Sequence, residues 1–186
     1  MLTLEHAYVF AGVVFAAYAL LGFGDRRKIW NAVFWGVVAL MFLLGSHVND
    51  MANGAIALAL LLIGGSGLLR HGKGETTDRT ARKESAERRG NVLFLPALIV
   101  PATAVAGTLL AKQIHIAGQP LIDPKQATII SLAIGVMLAW IAATIWLRPP
   151  WLAALGEGRR LMDTVGWAAM LPQSLAALGA VFALAI

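Results

Sequence analysis

The polar residues that could do chemistry in this chain are few, and most stand at the edges of apolar runs. Asn49, Asp50 and Asn53 cluster with His47 between two such runs, and Asn31 opens another. Asn and Asp favour helix caps and turns, so the first reading of this group is capping and the second is the lining of a solute pathway. Pro172, Gln173 and Ser174 interrupt the last apolar run some eight residues after it begins. The proline removes an N–H and frees a carbonyl, while the two polar side chains add donors and acceptors at membrane depth. A broken helix of this kind can build a transporter's substrate site from freed backbone groups and half-helix ends. A proline-kinked span whose Gln and Ser bond a neighbouring helix explains the same residues.

Other chemistries lack their residues. There is no cysteine, which excludes disulfides, thiolate nucleophiles and Cys-ligated metal or iron–sulfur centres. Of the ten carboxylates, Glu5, Asp25, Asp50, Asp123 and Asp163 flank apolar runs and the rest lie in charged connections. A proton pump or membrane protease usually needs an ionisable group buried in the bilayer, and the apolar runs offer none. The histidines, His6, His47, His71 and His115, fall in separate connections without a second ligand at helical spacing, so neither a metal nor a cofactor is expected. Gly67 to Gly74 has Walker A spacing, but Gly74 stands where Ser or Thr is required and the segment follows an apolar run instead of a strand. With no nucleophile–base pair, the chain does not read as an enzyme.

The elements that must hold these residues follow from composition. Of 186 residues, 59% are hydrophobic and 13% charged, and mean hydropathy is +0.73, beyond what a water-soluble domain shows. Uncharged runs cover 7–23, 29–46, 51–69, 91–111, 127–147 and 164–186, with 17, 18, 19, 21, 21 and 23 residues. About 20 residues of helix cross about 30 Å of hydrocarbon. The runs are apolar all round, without the alternation of a barrel strand. The expected fold is all-α: one polytopic membrane domain over 1–186, with five spanning helices and a sixth segment, proline-broken or re-entrant. The first run has no basic leader before it and reads as a span, not a removed signal peptide.

Charge placement orients the chain. The net charge is +5 and the pI about 10.1, yet no aromatic platform accompanies the basic residues, which argues against nucleic acid. Thirteen of the fifteen Lys and Arg lie in the connections 24–28, 70–90 and 148–163; the alternate connections hold Lys112 and Lys125. Positive charge stays inside, so the N-terminus is expected in the periplasm, those three loops in the cytoplasm and the protein in the inner membrane. The 70–90 stretch reads as a solvated, partly helical or disordered loop whose charge can meet anionic head groups. The 148–163 stretch, with Trp151 after Pro149 and Pro150, suits either a short interfacial helix or a plain connector. Lys112 to Gln126 carries turn formers and reads as a short ordered loop. Pro96 and Pro101 in the fourth run predict kinks. Gly12 with Ala16 and Gly179 with Ala183 form small-xxx-small pairs that let helices approach.

Several stretches in order, L-T-L-E-H-A-Y-V-F-A-G at the start, N-A-V-F-W-G at Asn31–Gly36, A-N-G at Ala52–Gly54, G-N-V-L-F-L-P-A-L-I-V-P at Gly90–Pro101 and G-W-A-A-M-L-P-Q-S-L-A-A-L-G-A-V-F at Gly166–Phe182, resemble the bacterial permease family called domain of unknown function 979. The resemblance covers nearly the whole chain. It implies a permease component, part of a secondary transporter for a small organic solute, organic acids such as 5-oxoproline being suggested by the enzymes of 5-oxoproline metabolism encoded near its members. It also implies a partner, a second membrane subunit of the family called domain of unknown function 969, besides the lipid bilayer and the solute. Members of the family are longer, so the chain is expected to be an N-terminal fragment. A non-transporting scaffold or assembly subunit is the alternative.

Overall fold

Apolar runs without alternation have one local way to satisfy their backbone groups, the internal hydrogen bonds of a helix. The computed structural model describes residues 2–72, 78–110, 113, 115–116, 119–150, 152–166, 168, 171, 175 and 182. Its helices are α1 (Leu4–Phe23), α2 (Ile29–Leu44), α3 (Asp50–Gly65), α4 (Arg79–Arg89), α5 (Leu95–Leu110), α6 (Ala127–Leu147) and α7 (Ala153–Val165). Turns of 3-10 helix at Arg26–Lys28 and Gly90–Phe94 lead into α2 and α5. The extended pairing among the described residues is one two-residue ladder, His115–Ile116 against Gln119–Pro120, and an isolated bridge between Leu2 and Ile122. The fold is all-α.

Among the described residues, four stretches are long and apolar enough to cross a membrane: Leu4–Phe23, Arg26–Leu44, Arg82–Leu110 and Ala127–Leu147. The third apolar run behaves differently from expectation. It reaches residue 69 in the sequence, but α3 stops at Gly65 after 16 residues. Ser66 ends it, donating from its hydroxyl to the Ile63 carbonyl at 2.7 Å while accepting from the Leu68 N–H at 3.3 Å. The 70–90 connection contains a formed helix, α4, and most of the 148–163 connection from Ala153 on is helical, in α7. Pro101 sits inside α5 without ending it. The sixth run, 164–186, lies mostly outside the described residues.

The chain divides into two units. One comprises Met1–Ala11 and Glu75–Ala154. Its main contact is α5 against α6, and at one end of the pair Leu2 bonds the 121–123 loop through Leu2 N–H to Leu121 O (2.7 Å) and Asp123 N–H to Leu2 O (3.2 Å). Ile122, Ala127 and Ile130 are buried there. At the other end Arg89 lies over the Trp146 ring, 5.9 Å from its centroid, a cation–π contact.

The second unit comprises Gly12–Gly74 and Leu155–Ile186. Its core is Ala19, Phe34, Trp35, Val38 and Leu60. Phe15 stacks on Trp35 and Phe42 with centroids 5.5 and 5.7 Å away, and Phe34 meets Trp35 edge-on at 4.9 Å, geometries that aromatic quadrupoles favour. A Cβ on Gly12 would lie 2.6 Å from the Leu43 side chain. The small residue is thus used inside the unit, to bring α1 against α2. In both units large apolar side chains face outward, Leu62 at 74% exposure and Ile145 at 69% among them. Contiguous apolar surface of this kind calls for an apolar surrounding.

Candidate functional site

The buried polar groups of the second unit gather where α2 begins. Asp163 of α7 is 3% exposed. Its Oδ1 accepts from Trp35 Nε1 at 2.9 Å, and its Oδ2 stands 3.7 Å from Lys28 Nζ. A buried carboxylate is tolerable only with donors and a countercharge, and it has both. One turn before Trp35, Asn31 is 3% exposed and grips the backbone of Arg70 twice: Nδ2 donates to the Arg70 carbonyl at 2.7 Å, and Oδ1 accepts the Arg70 N–H at 2.8 Å. Arg159 Nη1 donates to the Leu21 carbonyl at 2.7 Å, placing a cation at the carbonyl end of α1 where the helix dipole favours it. Arg160 pairs with Glu157 on the same helix at 2.7 Å.

These contacts fix α7 by its charged face beneath α1 and α2. They also bring the basic connections together: Lys28, Arg70 and Arg159 all stand at one end of this unit. Sequence reasoning placed Asp163 at the flank of an apolar run; the structure buries it. The signal was at the start of α2, where its cap Lys28 and then Asn31 and Trp35 follow one another at spacings of three and four, the spacing of one helix face.

The residues singled out beforehand are distributed differently. Asn49, Asp50 and Asn53 stand at the start of α3. Asn49 is the cap of α3, its side chain accepting the Ala52 N–H at 2.9 Å. Asn53 Nδ2 donates to the Gly45 carbonyl at 2.9 Å, closing the end of α2, while its Oδ1 is buried without a partner. Asp50 lies exposed in the first turn of α3. Asn31, by contrast, is not a cap; Lys28 holds that position and Asn31 bonds a distant segment. Pro172, Gln173 and Ser174 lie outside the described residues, as do Trp151 and the Gly179–Ala183 pair. Among the described residues no group of three or more His, Asp and Glu could hold a metal.

The first unit has a cavity of about 380 Å3 between α5 and α6, lined by Thr103, Gly107, Ile122, Ser131 and Ile134 together with Ala102 and Ala106. Ser131 is 1% exposed, and its hydroxyl has no hydrogen-bond partner among the described residues. A lone serine in an apolar helix was its only sequence signal.

Apolar helices long enough to cross a membrane, two internally packed units and a buried Lys–Asp–Trp cluster define an all-α protein of membrane-compatible surface. The chain belongs to the family described as a protein of unknown function, DUF979, which it matches over residues 5–186. No curated protein and no solved structure matches it.

Proposed function

We propose that this protein is a non-enzymatic, multi-pass permease component of the inner membrane, part of a secondary transporter for a small organic solute. Organic acids such as 5-oxoproline are the first candidates, and a second membrane subunit of the domain of unknown function 969 family is the expected partner. The observation that carries the reading is the buried charge of Asp163, held by Trp35 and Lys28 among apolar helices. Ionisable groups in such surroundings are expensive and are usually kept for function. Asp163 also stands nine residues before Pro172 in the sequence, and we assign Pro172, Gln173 and Ser174 to the solute pathway. Asn49, Asp50 and Asn53 are assigned to its opposite mouth.

What supports the orientation is the grouping of basic connections. Lys28, Arg70 and Arg159 share an end of one unit, and Arg89 shares an end of the other with Trp146, two residues before Arg148. Cytoplasmic placement of these ends follows the positive-inside rule, with the N-terminus in the periplasm. The scaffold alternative draws on α5, which has no buried residue along its described length and needs lipid or a partner against it.

The test is uptake of labelled organic acids, 5-oxoproline first, by cells expressing the full gene with its neighbouring membrane subunit. Gln173→Ala is expected to reduce uptake at unchanged membrane abundance. Wild-type uptake no greater than that of cells lacking the gene, across the acids tested, would favour the scaffold.

A further inference from the structure

Three hydroxyls in the described helices turn back on their own backbone. Thr108 donates to the Ala104 carbonyl at 2.7 Å, Thr144 to Trp140 at 2.8 Å and Thr164 to Arg160 at 2.8 Å, each four residues earlier. This is the usual solution for a hydroxyl in an apolar helix. Ser131 does not take it. The Ala127 carbonyl stands at the same offset, yet the Ser131 hydroxyl is buried without a partner and lines the 380 Å3 cavity. Space for it comes from Gly107, where a Cβ would lie 2.0 Å from Ser131 Oγ.

An unpartnered buried hydroxyl costs free energy that a ligand can recover by bonding to it. The remaining lining is Ala, Gly, Leu, Ile and one Thr, with no charged residue. A charged ligand would therefore be desolvated without a countercharge, and a polar one would leave groups unmatched. The volume lies within the range of small-molecule sites, about 300 to 1,000 Å3. We propose that this cavity binds a neutral, single-chain amphiphile of medium length, its chain against Ile122 and Ile134 and its one hydrogen-bonding group on Ser131. The site lies wholly within the first unit and is independent of the Asp163 cluster and of the permease reading.

The experiment is photolabelling of the purified full chain in phosphatidylcholine nanodiscs with a diazirine-bearing octanol, adducts being mapped by mass spectrometry. Adducts are expected to concentrate on the α5 and α6 residues around the cavity, and excess octanol should compete better than excess octane. Ser131→Ala should lower that labelling about threefold to tenfold, the factor one neutral hydrogen bond contributes. Ala106→Leu, which fills the cavity from its rim without touching the hydroxyl, should also lower it. Labelling spread evenly over the apolar surface, equal competition by octane, or labelling unchanged in Ser131→Ala would overturn the proposal; the second outcome would mean that lipid chains occupy the space.

Discussion

The two units solve the same problem, joining apolar helices, with opposite materials. Around α5 and α6 the joint is made by small residues: Gly107 against Ser131 and Gly135 against the backbone at Val100, where a Cβ would stand 3.0 Å from the carbonyl. Thr108 and Thr128 add a hydroxyl contact across the pair at 3.2 Å. Around α2 and α7 the joint is made by charge and directed hydrogen bonds, Asp163 with Trp35 and Lys28, Asn31 with Arg70. In an apolar solvent there is little hydrophobic force between helices, so close packing and polar contacts must both serve. The difference teaches where each is used. Small residues hold the long, apolar α5–α6 pair, while the amphipathic α7, too polar to be held by shape alone, is held by its charges.

Breaking the charged joint should have the largest effect. Asp163→Ala leaves Lys28 facing a mostly buried site without its countercharge and Trp35 Nε1 without an acceptor. Loss of one partner from a buried pair costs about 3 kcal/mol or more, read as a lowered unfolding midpoint of the purified protein. The double change Lys28→Met with Asp163→Leu should recover most of that loss, because the uncompensated charge is gone. If the double variant is as unstable as the single one, the cluster is not an electrostatic joint.

The small-residue joint comes next. Gly107→Val forces its side chain into Ser131, and overpacking of this kind costs about 1 to 3 kcal/mol. Gly107→Val with Ser131→Gly should relieve it. The comparison between the units sharpens further with salt: screening should leave the Gly107 effect unchanged, and the Asp163 pair, being buried, should respond far less than the exposed Lys83–Glu87 pair of α4.

Asn31→Ala removes two hydrogen bonds to Arg70 and should cost about 2 kcal/mol, each bond being worth about 1. Asn49→Ala removes a cap and should cost about 1 kcal/mol. Hydrogen exchange would tell them apart, the first loosening the segment after α3 and the second the first turn of α3 itself.

Much of this architecture was legible in the sequence, because helices in apolar runs are set by backbone satisfaction and not by particular partners. The six uncharged runs located α1, α2, α3, α5 and α6, and charge counting grouped the connections that the structure brings together within each unit. The end of α3 was not legible, since nothing apolar distinguishes Leu68 from Leu62; the Ser66 turn decides it. The Asp163 cluster was missed for a different reason. Its members are 128 and 135 residues apart in pairs, and an aspartate at the flank of an apolar run looks the same whether its helix turns it outward or inward. Asn31 was misread because cap propensity is local and its actual partner, Arg70, is not.

The smallest expected effect lies away from both joints, at the start of α4. The Thr80 hydroxyl donates to Asp78 Oδ2 at 2.6 Å, and that bond, aided by the Arg82 charge, holds the Asp78 carboxyl below its ordinary value. A carboxyl lowered in the folded state contributes stability that is complete above its unfolded value, and protonation removes it as pH falls through the folded one. The contribution of Asp78 is therefore present at neutral pH and declines only below about pH 3.8. Because the group is fully exposed, the consequence should stay local. Exchange of the first α4 amides should quicken in that acid range, Asp78→Asn should show the quickened rate already at neutral pH, and the exchange of α2 and of α5 should not follow. Joint movement of all three would mean that α4 is coupled to the helix joints, and the contrast between them would lose its force.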